Sequence, residues 1–220
     1  MKTIVVIGAG IVGVSTAIWL QRSGFKVTII DQKGPATGAS HGNAGILAAS
    51  SIIPVPNPSL IKKLPFYLLS KDSPVFFKMS YLPQMFPFLM SYLSKSNLRE
   101  VNKYAERMTP LIFDTVCQHK SLAKGTGAEK FISYQDYCFG YETKENFLND
   151  KKVWKLRQKH GLPFEVVNGN EFSNFDPFYK DLFDVIVKCK NHGKISDPGL
   201  YVKTLCDHFL SQGGELIISK

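Results

Sequence analysis

The first thirty residues change from one apolar pattern to another in a way that predicts a strand–helix–strand unit. Residues 3–7 (TIVVI) are apolar and mostly β-branched, as expected for a strand buried on both faces of a parallel sheet. Residues 11–23 have small or apolar side chains at helical spacing and precede Gly24, a typical helix terminator. Residues 26–31 (KVTIID) predict a second strand. We therefore expect a βαβ unit with parallel strands and a right-handed crossover.

The pattern between residues 59 and 192 differs from that of the first unit. Short amphipathic helices, broken by prolines, are expected over residues 59–93. The other elements predicted here are a longer helix at 98–122, paired antiparallel strands at 131–142, a polar helix at 144–160, and strands at 164–172 and 184–190.

The last 25 residues or so return to the first pattern, and they predict one more unit of the N-terminal sheet. Residues 196–214 open with an Asp-Pro start and end in two glycines, which predicts a helix. Residues 215–220 (ELIISK) predict a third parallel strand, left with an unpaired apolar edge.

Three glycines stand where the first strand turns into the helix, in a G-x-G-x-x-G arrangement. Gly8 permits the tight turn, Gly10 leaves space for a pyrophosphate, and Gly13 allows close packing of helix on strand. Asp31 ends the second strand, where a carboxylate accepts the 2′- and 3′-hydroxyls of an adenosine ribose and disfavours a 2′-phosphate. This unit predicts a dinucleotide site but does not by itself separate FAD from NAD.

The segment GASHGNAGIL (38–47) bears on that choice, because an NAD enzyme usually proceeds at once to another βα unit. Together with VVIGAGIVG (5–13), it resembles the FAD-dependent D-amino-acid oxidoreductase family, and most closely the D-amino-acid dehydrogenases. The likeness extends weakly through 64–78 and 193–205. It implies an FAD cofactor and oxidation of the C–N bond of an amino acid, with hydride transfer to flavin N5 and hydrolysis of the imine to a 2-oxo acid and ammonia.

The resemblance also implies a set of cofactor-binding residues. The pyrophosphate would lie on Gly8, Ala9, Gly10, Ile11, Val12 and Gly13; Asp31 and Gln32 follow at the ribose; and Ser40, His41, Gly42, Asn43, Ala44, Gly45 and Leu47 would hold the phosphates and the flavin ring. His41 lies one position too early for the covalent flavin attachment found in some relatives. No catalytic residue is assigned, because the substrate-clamping segments of the family follow the point reached by residue 220.

The fold class implied is α/β, with a Rossmann-like FAD-binding domain (residues 1–58 and 193–220) that is incomplete. An inserted α+β substrate domain (59–192) would contain the antiparallel sheet. The chain is thus interpreted as the N-terminal part of an amino-acid dehydrogenase or oxidase that is inactive alone. Two alternatives stay open: a non-catalytic nucleotide-binding fragment that needs a partner chain, and an NAD-linked dehydrogenase.

Charge and composition narrow the classes of partner. The chain has 27 basic and 18 acidic side chains and a net charge of +9, but no arginine-rich or aromatic-spaced basic run, so nucleic acid is not an expected partner. Its four cysteines form no C-x-x-C pair, so neither a metal site nor a disulfide framework is expected. A cytoplasmic protein is predicted. The uncharged stretch 79–94 suggests peripheral contact with the inner face of the membrane, with quinone or oxygen as electron acceptor.

Overall fold

The computed structural model describes residues 2–55, 58 and 78–219, which adopt a mixed α/β fold. The α-helices are α1 (Ile11–Arg22), α2 (Leu82–Ser94), α3 (Leu98–Ile112), α4 (Thr115–Ala123), α5 (Lys144–Asn149), α6 (Lys151–Lys159), α7 (Gly169–Phe175) and α8 (Pro198–Ser211). The strands are β1 (Thr3–Ile7), β2 (Lys26–Asp31), β3 (Ile46–Leu47), β4 (Ile132–Tyr134), β5 (Tyr137–Tyr141), β6 (Phe164–Asn168), β7 (Val185–Cys189), β8 (Gly193–Ile195) and β9 (Glu215–Ile218).

The chain divides into two compact units. The first consists of Met1–Ala48, Asp114–Asp136 and Asn191–Lys220, and the second of Ala49–Phe113 and Tyr137–Lys190. The boundaries expected from sequence had placed residues 49–58 in the FAD-binding domain and residues 114–136 in the insertion. By contacts, residues 49–55 belong to the second unit and residues 114–136 to the first. Among the described residues, no helix has both the length and the apolar character needed to span a bilayer.

A parallel sheet of order β1-β2-β9 forms the centre of the first unit, and the predicted βαβ unit and third parallel strand are confirmed. Helices α1 and α8 pack together against one face of this sheet. The predicted Asp-Pro start is confirmed, since the Asp197 carboxylate accepts a hydrogen bond from the Leu200 amide at 2.8 Å and caps α8. Side chains from the helices and the sheet form one core that includes Ala17, Ile29 and Phe209.

The expectation that β1 is buried on both faces is wrong. Val5 is 54% exposed and Ile7 is 87% exposed, whereas Val6 on the opposite face packs against the core. The physical reason is that α1 and α8 cover the sheet on one side, and no element of the described residues covers β1 on the other. The apolar composition of β1 is suited to a second layer that these residues do not provide.

The predicted pairing within residues 131–142 is also wrong. Strand β4 pairs with β8 in a small antiparallel sheet of the first unit, in the order β3-β8-β4. Strand β5 instead pairs with β7 in the antiparallel sheet of the second unit, in the order β5-β7-β6. Because only two residues separate β4 from β5, the local pattern resembles a hairpin although the chain passes from one sheet into another.

Two helix predictions need correction. The helix expected over 98–122 ends at Ile112, and a new helix begins at Thr115, with Asp114 outside the helical region at φ −110° and ψ 20°. Pro87 does not break α2 but lies inside it, and Pro83 occupies its first turn, where a proline needs no amide partner. Pro65 and Pro74 lie outside the described residues. The polar helix expected over 144–160 is divided at Asp150 into α5 and α6.

An aromatic core holds the second unit together. Trp154 is almost fully buried against β7, and Phe139 packs edge-on to it at 5.3 Å between ring centroids. The Arg157 guanidinium lies 4.4 Å from the Trp154 ring, and its Nε donates to the Ser50 carbonyl oxygen at 3.1 Å. Burial lowers the pKa of Arg157, and the aromatic and carbonyl partners offset part of the cost of desolvating this cation.

Candidate functional site

The turn between β1 and α1 brings backbone amides to one end of the parallel sheet. Gly8 has a φ of +103°, a conformation that side chains rarely adopt, and its amide donates to the Ile30 carbonyl oxygen at 2.7 Å. Gly10 precedes α1 in extended conformation and offers no side-chain cap. The first turn of α1 contains no acidic residue, so the helix dipole and the first amides favour an anion at this end.

Two further glycines of this turn are required by close approaches. A Cβ on Gly13 would overlap the carbonyl oxygen of Gly8, so the helix approaches the strand as closely as the sequence predicted. A Cβ on Gly10 would lie 3.3 Å from the Ser40 hydroxyl oxygen, so this position borders the following loop. Gly13 therefore allows α1 to pack closely on β1, and Gly10 leaves the space between the turn and Ser40 free of a side chain.

The Asp31 carboxylate connects the end of β2 to the glycine turn. One of its oxygens accepts a hydrogen bond from the Ala9 amide at 2.8 Å. The other accepts from the amides of Lys33 at 2.8 Å and Gly34 at 2.7 Å. These bonds, that from Ala9 above all, hold the pKa of Asp31 below its ordinary value because each favours the ionised carboxylate. Sequence reasoning had assigned this acid to a ribose and had missed its role in the turn.

The loop over residues 38–45 is fixed by its own polar side chains. The Ser40 hydroxyl accepts a hydrogen bond from the Ile11 amide at the start of α1, at 2.9 Å. Asn43 donates to the Ala39 carbonyl oxygen at 3.0 Å and accepts from the Gly45 amide at 2.9 Å. The loop thus folds back on itself and is joined to the glycine turn by one hydroxyl.

The end of this loop is held by backbone contacts with β8 and α8. Gly45 has a φ of +66°, and a Cβ there would overlap the Ile195 carbonyl oxygen. The Ile195 amide donates to the Gly45 carbonyl oxygen at 2.7 Å. His41 lies against the first turn of α8, since a Cβ on Gly199 would meet the imidazole Nδ1 at 2.8 Å. Both contacts fasten the loop to the first unit.

Most of the predicted cofactor residues line one or the other of two cavities. The larger has a volume of about 570 Å³, and of the predicted residues it is lined by Gly8, Gly10, Asp31, Gln32 and Ser40. A smaller one of about 160 Å³ is lined by the predicted Ile11, Ser40, Asn43, Gly45 and Leu47. Ser40 borders both. The predicted residues that line neither cavity are Ala9, Val12, Gly13, His41, Gly42 and Ala44.

The structure adds residues that sequence reasoning missed. The larger cavity is also lined by Lys33, Thr37 and Ser219, and Lys33 adds a cation to its lining. The smaller cavity includes His119 and Tyr201, whose imidazole Nδ1 and phenolic oxygen are 3.1 Å apart. Burial lowers the pKa of His119 and raises that of Tyr201. Of these, only Lys33 follows Asp31 closely enough for the sequence to signal it.

Comparisons with known proteins assign the chain to a family. The family model described as "FAD dependent oxidoreductase" matches residues 3–219. This chain belongs to that family of FAD-dependent oxidoreductases. The D-amino-acid oxidase of Bradyrhizobium diazoefficiens is 35% identical over 222 residues, a match that covers the whole chain and 52% of that protein. The chain therefore spans about half the length of such relatives, and it corresponds to their N-terminal part.

Solved structures of other proteins share the fold at low identity. The L-amino acid deaminase of Proteus vulgaris matches with a TM-score of 0.64 at 14% identity, over 99% of this chain and 39% of that one. The dithionite-reduced L-α-glycerophosphate oxidase of Mycoplasma pneumoniae, with FAD bound, matches with a TM-score of 0.59 at 14% identity, over 99% of this chain and 45% of that one. At such identities the likeness shows the fold alone.

The residues present fit the family cofactor. The larger cavity lies within the range of about 300–1,000 Å³ usual for cofactor sites, at a helix start that favours anions. Asp31 lines it as an ionised acceptor and Lys33 as a cation. These groups suit a ligand that has a diphosphate and a free ribose. The helix start and Lys33 favour the phosphates, and Asp31 can accept a hydrogen bond from a ribose hydroxyl.

Proposed function

We propose that this chain binds the adenosine diphosphate part of FAD in the cavity of about 570 Å³ beside the glycine turn. The observation that carries the proposal is the convergence of three features on that cavity. These are the start of α1, where Gly10 provides no side-chain cap, the Asp31 carboxylate, and the lack of a side chain at Gly10, whose Cβ would lie 3.3 Å from the Ser40 hydroxyl oxygen. The start of α1 would face the phosphates of the cofactor, and Asp31 would face its ribose. The lack of a side chain at Gly10 would let the cofactor pass close to the backbone.

Asp31 limits how the ribose is held. A carboxylate offers about four acceptor positions, and three are taken by the amides of Ala9, Lys33 and Gly34. One position remains for a ribose hydroxyl, so binding of both hydroxyls requires one of the amides to give up its bond. A 2′-phosphate at this place would meet an ionised carboxylate, which favours FAD or NAD over NADP.

The reaction we propose is oxidation of the C–N bond of an amino acid, as the name of the Bradyrhizobium relative indicates for that protein. The bound flavin would supply the acceptor for the hydride from the substrate Cα. The role of this chain's own residues is to bind and orient the cofactor: α1 receives the phosphates, Asp31 the ribose, and the loop 38–45 encloses the ligand between its backbone and the turn. No residue of the chain is assigned to the substrate.

Flavin titration tests the proposal directly. The purified chain is titrated with FAD, and flavin fluorescence quenching reports binding; the same protein is titrated with NAD. We expect FAD to bind at least tenfold more tightly than NAD, because the sequence of the loop after β2 resembles that of the FAD-dependent family. The series Gly10→Ala and Gly10→Val should weaken FAD binding progressively. Tighter binding of NAD, or unchanged FAD affinity in Gly10→Val, would overturn the proposal.

Turnover is tested separately from binding. The chain with FAD is assayed with D-alanine and an artificial electron acceptor. We expect FAD binding without turnover from this chain alone, since it spans about half the length of its curated relatives. Turnover by the chain alone would show that it contains the substrate site and would contradict that part of the proposal.

We also propose that helix α2 contacts a membrane surface, where a quinone would serve as electron acceptor. Phe86, Phe88 and Met90 are each more than half exposed, and α2 has no buried residue. Residues 79–94 have no charge, and Lys78 and Lys95 flank them, which is the arrangement of an interfacial helix at an anionic lipid surface.

Flotation with lipid vesicles tests this contact. We expect the chain to float with vesicles that contain phosphatidylglycerol and not with purely zwitterionic ones. The double variant Phe86→Ser/Phe88→Ser should lose at least two thirds of that binding, whereas Leu111→Ser, at an even more exposed apolar residue of α3, should not. Equal loss in both variants would contradict a role specific to α2.

A further inference from the structure

The second unit contains a cavity of its own, which we call the second-unit cavity. Its volume is about 550 Å³, close to that of the larger cavity of the first unit, and the two cavities share no lining residue. This volume lies within the range of about 300–1,000 Å³ usual for small-molecule sites. The lining residues come from the end of β6, the start of β7 and the start of α5. The flavin proposal assigns no ligand to this cavity.

Charges of both signs line the second-unit cavity without pairing with one another. Lys144 supplies a cation, and Asp181 and Asp184 supply two carboxylates. All three residues are exposed, and none of them forms an ion pair with another described residue. One oxygen of Asp184 accepts a hydrogen bond from the Lys144 backbone amide at 3.1 Å, but the Lys144 ammonium has no carboxylate partner in the described part of the chain. The cation and the carboxylates therefore remain available to a ligand.

An apolar wall lies beside these charges. The Phe183 ring packs on β5, since a Cβ on Gly140 would lie 2.7 Å from Phe183 Cε1. Phe183 lines the second-unit cavity together with Val166 and Val167 of β6. Val166 is 49% exposed, so a ligand side chain that covered it would remove apolar surface from water, which is favourable.

We propose that the second-unit cavity binds a free α-amino acid in its zwitterionic form. The Lys144 ammonium would pair with the ligand carboxylate, and the Asp181 carboxylate with the ligand ammonium group. An apolar ligand side chain would lie against Phe183 and Val166. This combination of a few polar groups with an apolar wall is typical of small-molecule sites.

Two simpler ligands fit this lining less well. A divalent cation would be repelled by Lys144, and no cluster of three or more His, Cys, Asp or Glu side chains suited to a metal ion occurs among the described residues. A phosphate would be attracted by Lys144 but repelled by Asp181 and Asp184. A ligand that carries both charges is attracted by all three side chains.

A matched series of small molecules tests the requirement for both charges. Leucine is compared with 3-methylbutylamine and 4-methylpentanoate, which keep its carbon skeleton but lack the carboxylate or the ammonium group. The 220-residue chain, without added cofactor, is titrated with each compound by isothermal titration calorimetry. We expect leucine to bind at least fivefold more tightly than either analogue. Equal affinity for one of the analogues, or no binding of leucine at millimolar concentration, overturns the proposal.

Charge variants locate the binding. Lys144→Met and Asp181→Asn should each weaken leucine binding at least fivefold. Asparagine tolerates the left-handed backbone of position 181, where φ is +60°, and thermal unfolding of each variant confirms that it folds. Lys151→Met and Glu145→Gln remove the same charges from exposed residues that do not line the cavity, and they should leave leucine affinity unchanged. Equal weakening in these control variants overturns the proposal.

Chemical-shift mapping gives a second readout that needs no variant. In the nitrogen-15-labelled chain, leucine should shift the backbone amide signals of Phe183 and Val166 and not those of Gly8 and Gly34, which line the larger cavity. Shifts confined to the first unit overturn the proposal. Gly10→Val, which should weaken FAD binding, should leave leucine affinity unchanged, so failure of the flavin proposal and failure of this inference are distinguished.

Discussion

The glycine turn and the loop after β2 both present backbone to the larger cavity, but they are held in place by different forces. In the turn, the limit is steric, since the Gly8 carbonyl oxygen fills the space of a Cβ on Gly13. The loop is held mainly by hydrogen bonds of polar side chains. Asn43 bonds within the loop, and the Ser40 hydroxyl accepts from the first amide of α1. Asp31 connects the turn to the residues directly after β2, because its carboxylate accepts hydrogen bonds from the amides of Ala9 and Gly34.

This difference between a steric limit and side-chain hydrogen bonds indicates which positions tolerate substitution. A steric limit set by backbone atoms cannot relax without moving a strand or a helix, whereas a lost side-chain hydrogen bond can be replaced by water at an exposed site. We therefore expect substitutions in the turn to cost more stability than substitutions in the loop, and the following predictions test that order.

The largest effect is expected for Gly13→Ala. The added methyl overlaps the Gly8 carbonyl oxygen, and relief requires α1 to move away from β1. We expect a loss of about 3 kcal/mol in the free energy of unfolding, at the upper end for overpacking. Urea denaturation followed by circular dichroism measures it. Gly38→Ala is the matched control, since a Cβ there meets nothing within 4 Å, and it should leave stability unchanged or slightly raised.

The next effect is expected for Gly45→Ala, the one loop position that shares the steric character of the turn. Its φ of +66° and the overlap with the Ile195 carbonyl oxygen both oppose a side chain. Because the loop can shift more easily than a helix, we expect a cost of about 2 kcal/mol, measured in the same way. A cost larger than that of Gly13→Ala would reverse the proposed order.

A smaller effect is expected for Asp31→Asn, which keeps the shape but removes the charge. The amides of Ala9, Lys33 and Gly34 lose an ionised acceptor, and we expect a cost of about 1 kcal/mol after allowance for solvent screening. Asp207→Asn, at an exposed acid of α8, is the control and should have no measurable effect.

The pH dependence of Asp31→Asn sharpens this prediction. The pKa of Asp31 is lowered in the folded chain, so its contribution to stability is complete above the unfolded pKa and is lost as the pH falls through the folded value. The difference in stability between the two proteins should therefore be constant near neutral pH and shrink below about pH 4. A difference that persists undiminished at pH 2 would show that the charge is not its source.

The smallest effect is expected for Asn43→Ala, which removes both hydrogen bonds that close the loop. Asn43 is exposed and water can replace its partners, so we expect a cost of about 0.5 kcal/mol in stability. Asn43→Asp keeps the acceptor for the Gly45 amide and loses the donor to Ala39. It should recover most of the loss, and failure to do so would assign the effect to the donor.

The sequence alone predicted the elements whose signals are local. The βαβ unit, the Asp-Pro start of α8 and the strand β9 follow from apolar runs bounded by glycine, proline and a capping acid, and the structure confirms them. The family and its FAD dependence were implied by a resemblance to a known family, carried by the glycine turn and the loop of residues 38–47, and the family match confirms them.

What local signals did not reveal depends on contacts between distant residues. Strands β4 and β5 look like a hairpin because the turn between them is short, yet each pairs with a strand more than 40 residues away. The amide partner of Asp31 in the glycine turn, that of Ala9, lies 22 residues upstream and was missed for the same reason. The exposure of β1 on one face was missed because an apolar strand indicates only that burial of both faces is favourable. Its composition does not show whether a second layer is present.

The sequence by itself thus determined the βαβ unit and its glycine turn, because glycine spacing, a strand-ending acid and the residues that start and end a helix act over a few residues. Only the tertiary structure decided which glycines are limited by backbone atoms, how Asp31 connects the turn to the residues directly after β2, and which face of the sheet is bare. These properties depend on where β2, β8 and α8 come to lie against β1 and α1, and no short stretch of sequence encodes such distances.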